Sequence, residues 1–258
     1  MINQIVFTGS TGSIGSCMPI SKNIIPLKIK INESRDKISR DMKKNASGTF
    51  LHLAAMTDKK SCEKYKNLCT KINIKAAIKL YKIASEMKFD RFIFVSTSDI
   101  YKPKKKLQLI DVNDRLLPDS FYSLSKLIAE KELIKLSQKN NFIPLSIARV
   151  FNVSSQKIRK DSLEERVHNL AKIKKFEYIE GLNKVRDISS SKQVCKELIK
   201  LSKSKKFPLI VNICSGKPTD LFTFVSTIYK KYNLNFKLNY KFSIPKKNNF
   251  IVGKKTSY

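Results

Sequence analysis

The 258-residue sequence predicts an α/β fold, a doubly wound parallel sheet followed by a small C-terminal portion. Two observations predict it. Short, continuously apolar runs alternate with longer segments of helical periodicity, which is the pattern of parallel strands covered on both faces. Three of only seven glycines fall at positions 9, 12 and 15, directly behind the first apolar run. The longest apolar runs are strand-sized, such as Phe92-Ile93-Phe94-Val95, and none approaches the ~18 residues of a membrane-spanning helix.

Element by element, Ile5-Val6-Phe7 reads as the first strand and residues 24–31 as the second. Residues 35–44 are polar and helix-like, and 49–53 form a third strand. A long amphipathic helix is expected over 62–87, with Ile72, Ala76, Leu80 and Ile83 at helical spacing. A strand (91–95), a helix (122–138) and a strand (143–148) follow. Beyond Asn152 the pattern is less regular, leaving a helix near 193–202, a strand at 209–213 and a helix near 221–231. No linker divides the chain.

Composition narrows the function. Hydrophobic residues make up 41% and charged residues 28%, ordinary for a soluble globular protein. The formal charge is +31, but of 52 basic residues 44 are Lys and only 8 Arg, spread along the whole chain. Specific base and phosphate recognition leans on the Arg fork. A diffuse Lys coat therefore argues against nucleic acid as a partner, although it helps attract a polyanionic ligand. The five cysteines form no C-x-x-C pair, and His52 and His168 lie in unrelated contexts, so neither a metal site nor a disulfide framework is expected. The first residues lack the basic region and apolar stretch of a signal peptide. A cytoplasmic protein without a membrane partner is expected.

The stretch Thr8-Gly9-Ser10-Thr11-Gly12-Ser13-Ile14-Gly15 carries the first chemistry. One glycine permits a tight turn, one lets the backbone approach a pyrophosphate, and one allows close packing, so a Rossmann-like phosphate-binding turn is expected. A helix beginning there would add N–H donors and a favourable dipole. Tyr122 and Lys126, four apart on a helix, project from one face. An ammonium beside a phenol favours the phenolate, lowering a pKa that starts near ~10 and suiting Tyr122 to general acid–base work.

These features occur within a longer series: His52-Leu53-Ala54-Ala55, Asn73, Ser96-Thr97-Ser98-Asp99-Ile100-Tyr101, Tyr122-Ser123-Leu124-Ser125-Lys126, Arg149-Val150-Phe151-Asn152, Arg186-Asp187 and Asn212-Ile213-Cys214-Ser215-Gly216. In this order, across residues 2 to 216, the chain resembles the extended short-chain dehydrogenase/reductases, the NAD-dependent epimerase/dehydratase group acting on nucleotide sugars. The resemblance implies a catalytic set of Thr97, Tyr122 and Lys126. It implies NAD or NADP as cofactor, held by Gly9, Thr11, Gly12, Ser13, Ile14, Gly15, Leu53, Ala54, Ala55, Asn73 and Ser96 together with Tyr122 and Lys126. It aligns Asp99, Asn152 and Arg186 with substrate contacts, and Arg149 is as easily a structural partner. It also implies a nucleotide-sugar partner and a homodimer. The division is then a cofactor-binding domain (1–152) and a shortened substrate-binding portion (153–258) interleaved with the last sheet elements.

The sequence departs from that group where glycine is usual, with Lys102 after Tyr101 and Ser123 after Tyr122. Ser154-Ser155 replaces Gly-Pro, and Ile188 to Gln193 replaces the usual aromatic and acidic residues. The segment before His52 is short, so a strand that would contact adenine is lost or merged. Asn32-Glu33-Ser34-Arg35 offers both an acid for NAD ribose and an Arg for the NADP phosphate. Two functions stand: an NAD(P)-dependent epimerase, dehydratase or reductase of nucleotide sugars, and a non-catalytic Rossmann-fold protein that binds NAD(P) or regulates.

Overall fold

Strands made of Ile, Val and Phe need a cover on both faces, and the chain provides it with helices that alternate with them. The structure, a computed structural model, describes residues 4–29, 33–43, 48–155, 162–243 and 246–258. In chain order the elements of the first half are β1 (Ile5–Thr8), β2 (Ile24–Pro26), α1 (Arg35–Lys43), β3 (Thr49–His52), α2 (Lys59–Lys64), α3 (Lys66–Cys69), α4 (Ala76–Glu86), β4 (Arg91–Thr97), α5 (Phe121–Ser137) and β5 (Leu145–Val150). There follow β6 (Asn152–Ser154), α6 (Leu163–Lys172), β7 (Lys184–Ser190), α7 (Ser191–Lys203), β8 (Ile210–Ile213), β9 (Pro218–Asp220), α8 (Leu221–Lys230), α9 (Phe236–Asn239) and β10 (Asn249–Ile251).

Six strands form one parallel sheet in the order β2-β1-β3-β4-β5-β8. Period-two alternation divides their side chains between two cores. Val6, Phe50, Phe92, Phe94 and Ile147 face one side, where α1, α4 and α5 supply Ile38, Met42, Leu80, Tyr81, Ala129 and Leu133. Ile5, Phe7, Leu51, Ile93, Val95 and Val150 face the other, where α7 supplies Val194, Cys195, Leu198 and Leu201. Burying each phenylalanine is worth roughly 1.5–3 kcal/mol, and Phe50 also stacks on Phe92 at 5.4 Å. The sheet is therefore doubly wound, as its sequence predicts.

A smaller sheet, β10-β7-β6 with β9 antiparallel to β7, carries the C-terminal portion. Its own core is aromatic: Tyr229, Phe236 and Tyr240 from α8, α9 and the turn after it pack with Phe176 and Phe222.

Two sequence expectations are corrected. The helix expected after the glycine turn is a single 3₁₀ turn, Gly15–Cys17. Pro19 explains the loss, because it has no N–H to donate and its ring would collide with the carbonyl four residues back. Met18, which precedes it, is accordingly extended at φ −67°, ψ 129°. The helix dipole expected to attract phosphate is thus missing, and only backbone amides remain. The second strand ends at Pro26 rather than 31, at the edge of the sheet where proline is tolerated. Residues 30–32, including Asn32, lie outside the described residues. The same holds for Lys44 of the first helix.

The expected shortening on this side of the sheet is visible. A doubly wound dinucleotide fold places two strands beyond the first, whereas among the described residues only β2 lies beyond β1 here. The long helix of 62–87 is present in pieces: α2 and α3, a wide π-turn at Thr70–Lys75, then α4. Helix α5 opens with a reciprocal cap in which the Ser120 amide donates to Ser123 Oγ and the Ser123 amide to Ser120 Oγ. Ser123, unusual at that place, thereby satisfies the first turn.

Candidate active site

The order in which successive strands are added to the sheet reverses between β1 and β3, which remain parallel, and ligands of open α/β sheets bind outside the carboxyl ends of strands at such a point. A cavity of about 490 Å³ opens there. Gly9, Thr11, Gly12, Ser13, Ile14 and Gly15 form its first wall. Gly9 stands at φ +80°, and a Cβ on it would lie 2.7 Å from the Ala54 amide nitrogen. A Cβ on Gly15 would collide with the Gly9 carbonyl oxygen, so the turn closes upon itself only with glycine. Gly12 differs: a Cβ there would meet nothing nearer than the Gly9 oxygen at 3.4 Å. It presents bare backbone to the cavity. Gly12→Val is therefore expected to leave the fold intact while filling that space, lowering NAD or NADP affinity at least about tenfold. Calorimetric titration of the folded variant checks this.

The second wall comes from strand ends. After β3 the chain runs through Leu53, Ala54 and Ala55 beside the turn. Thr8 Oγ1 accepts from the Ala54 amide at 3.3 Å and lies 2.7 Å from His52 Nδ1. At the end of β4, Ser96, Thr97 and Asp99 line the cavity. Ser96 Oγ is buried and has no hydrogen-bond partner among the described residues, a polar group open to a ligand. Thr97 Oγ1 accepts from the Asp99 amide at 3.2 Å, capping the turn that follows.

Helix α5 delivers Tyr122 and Lys126 to the same cavity. The Tyr122 ring packs on Cys62 and Cys69. Lys126 is almost wholly buried, and burial pulls its pKa down to about 7 against the opposing pull of Glu130 and Cys69. Thus Thr97, Tyr122 and Lys126 reach one surface with the glycine turn. Asn73, expected among the cofactor contacts, does not line the cavity. It sits in the π-turn, takes both the amide and the carbonyl of Met56, and donates to Ser125 Oγ at 2.9 Å. Its position is behind the wall, fixing α5 to the segment after β3.

The far side holds Asn152 and Arg186, from β6 and β7. Arg186 donates to the Asn249 and Val185 carbonyls, and burial lowers its pKa while Asp99 and Asp119 oppose that. Asp99 is paired with Lys59 at 3.0 Å, and Lys59 also reaches Asp119 at 3.3 Å. Leu221 and Phe224 of α8 and Glu164 of α6 complete this side. Ser155 Oγ donates to the Ser13 carbonyl at 3.0 Å, tying the C-terminal portion to the glycine turn.

Several motif residues prove architectural. Arg149 makes a buried bidentate pair with Glu130 and donates to Tyr101 and to the Val112 carbonyl. The Tyr101 hydroxyl in turn donates to Asn212 Oδ1. Asp187 accepts from the Ser215 amide, the Ser215 hydroxyl and the Gly216 amide, joining two motifs far apart in sequence. Neither member of the NAD-or-NADP pair faces the cavity: Glu33 pairs with Lys37 at 2.6 Å, and Arg35 pairs with Glu86. Lys59 and Glu130 escape a reading of the sequence. For Glu130 a signal exists, since it stands one helical turn beyond Lys126 on the same face of α5.

A family model described as NAD dependent epimerase/dehydratase matches residues 23–214. The chain belongs to this family. The matched range starts beyond the glycine turn, whose assignment stands on its geometry. Among solved structures, the epimerase/dehydratase chain resembles UDP-glucose 4-epimerase from Thermus thermophilus in complex with NAD, at 14% identity and TM-score 0.81, covering 98% of this chain and 90% of that one. It resembles MoeE5 in complex with UDP-glucuronic acid and NAD at 16% identity and TM-score 0.80, with the same two coverages. RMD from Pseudomonas aeruginosa, complexed with NADPH, is 17% identical with a TM-score of 0.79, again covering 98% and 90%. No curated protein matches the sequence.

Proposed function

We propose that this epimerase/dehydratase family member transforms a nucleotide sugar by hydride exchange with bound NAD or NADP. The observation that carries the reading is the convergence of Thr97, Tyr122 and Lys126 on the cavity that the glycine turn also lines. The cofactor fits the residues present: Gly12 leaves its backbone open, and Ser96 offers an unpartnered buried hydroxyl. Gly9, Thr11 to Gly15 and Leu53 to Ala55 would hold it, with Asn73 supporting from behind. When bound, a nicotinamide takes up or delivers a hydride. The chain itself supplies Tyr122 as the acid–base group, Lys126 as the charge that favours its phenolate, and Thr97 as a hydroxyl toward the same sugar oxygen. Asn152 and Arg186 would meet the diphosphate, where a fork-shaped cation binds well. Asp99, held by Lys59, would face the sugar.

The first part of the chain, 1–152, carries the cofactor in this reading, and 153–258 covers the sugar. The five cysteines are free thiols, which suits work in a reducing cytoplasm. Among the described residues no helix is long and apolar enough to cross a membrane. Tyr65, Leu68, Leu124 and Ile128 are exposed on the neighbouring α2, α3 and α5 region, an apolar face suited to a second copy of the chain. The test is mass spectrometry of cofactor released from purified protein, followed by assay of a nucleotide-sugar panel. Turnover of one member with NAD or NADP is expected. Cofactor binding without turnover of any sugar would instead favour a non-catalytic protein.

A further inference from the structure

A buried lysine needs something to stabilise its charge, and Lys126 is only 2% exposed. The carboxylate one turn along α5, Glu130, is spent on Arg149. What faces the ammonium is an aromatic ring: Lys126 Nζ lies 4.0 Å from the ring centroid of Phe94. Phe94 is itself fully buried on β4, beside His52 of β3 in register, and the two rings lie 6.0 Å apart at 28°. His52 Nε2 is buried with no hydrogen-bond partner among the described residues. Burial, with the nearby Lys126 charge, holds the His52 pKa down to about 3, so the imidazole is neutral.

We propose that Phe94 is the positioning residue of the reactive lysine: its π face carries the Lys126 ammonium, with neutral His52 packed alongside. This inference rests on the reading of Lys126 as part of the reactive set. The ring's negative face attracts a cation most strongly where water is excluded. The titratable groups that act on Lys126 are Glu130 from its own helix, Cys69 from α3 and His52 from β3, and Tyr122 of the same helix lines the same cavity. Of these, His52 opposes the charge only when protonated, which its burial prevents. Phe94 thus works against desolvation. Without its π face the charged form is disfavoured further, and Lys126 loses its proton at lower pH.

The test replaces Phe94 by 3,4,5-trifluorophenylalanine, which keeps the shape and withdraws electron density from the ring, and in parallel makes Phe94→Leu. Two pH profiles are read on each protein: kcat/KM on the nucleotide sugar found by the panel, and affinity for NADH by fluorescence. The alkaline limb of both is expected to move to lower pH by roughly one unit, the worth of a desolvated cation–π contact. Near pH 5, well below the shifted limb, Lys126 keeps its proton in every protein and both values should approach those of the unmodified protein. An unmoved limb in the fluorinated protein overturns the proposal, because the ring would then serve packing alone, whatever Phe94→Leu does. If no nucleotide sugar is turned over, the proposed function fails, while the NADH profile still decides the role of Phe94.

Discussion

Tyr122→Phe is expected to lower turnover by roughly 10²–10⁴, the usual worth of a positioned acid–base group, with near-normal cofactor affinity. The packing gives the reason for expecting an intact fold: the ring stays against Cys62 and Cys69, and only the hydroxyl is lost. Lys126→Met should behave differently. It removes a charge from a buried site in which Glu130 is already engaged, so stability should hold or rise. Turnover and cofactor affinity should both fall. Thr97→Val should lose turnover and also the cap on the turn at Ser98–Ile100, about 1 kcal/mol of stability. Steady-state kinetics, cofactor titration and thermal melts of the three variants separate these outcomes. Full activity in Tyr122→Phe would make Tyr122 a wall residue and the mechanism wrong.

Glu130→Ala is expected to be the most destabilising single change near the site. Both side chains of the Glu130–Arg149 pair are almost fully buried, at 1% and 4% exposure, so removal of the carboxylate strands a guanidinium in the core. Breaking such a pair costs about 3–5 kcal/mol, against roughly 5–15 kcal/mol for the whole stability of a domain. A melting temperature lower by roughly 6–20 °C follows for a chain of this size. The double replacement Glu130→Leu with Arg149→Met should recover much of that loss, since two well-packed apolar residues often replace a buried pair without penalty. Glu130 also opposes the fall of the Lys126 pKa. Its loss should therefore move the alkaline limb of kcat/KM to lower pH, in the direction that loss of a favourable charge dictates. A melt unchanged in Glu130→Ala would show that Arg149 finds another partner.

Much of this is legible in the sequence. Continuous apolar runs locate the strands because a strand buried on both faces has no polar alternation to hide it. The spacing of Gly9, Gly12 and Gly15 announces a turn in which backbone must approach backbone, and such approaches are found at Gly9 and Gly15. What escapes depends on contacts between distant segments. Arg149 reads like a site residue until Glu130 is placed beside it. Phe94 reads like any core phenylalanine until strand register and helix α5 put Lys126 over its face. Asn73 has the identity of a site residue but a place behind the wall, because the π-turn aims it at Met56. The missing first helix is the opposite case: Pro19 stands in the sequence, and its consequence for the turn is local.

The place of β8 bears on how the molecule is made. It pairs with β5 and closes the sheet, yet it begins roughly 60 residues after β5 ends. At about 5–20 residues per second, a ribosome needs several seconds to supply it. Throughout that interval β5 carries an open edge, and until α7 is made the face it will cover, with Ile5, Phe7 and Leu51 on it, lies bare. Such an edge and face invite pairing with another chain. The nascent first half is therefore the stage of this protein's life most exposed to misassembly, and the stage at which a chaperone would matter most.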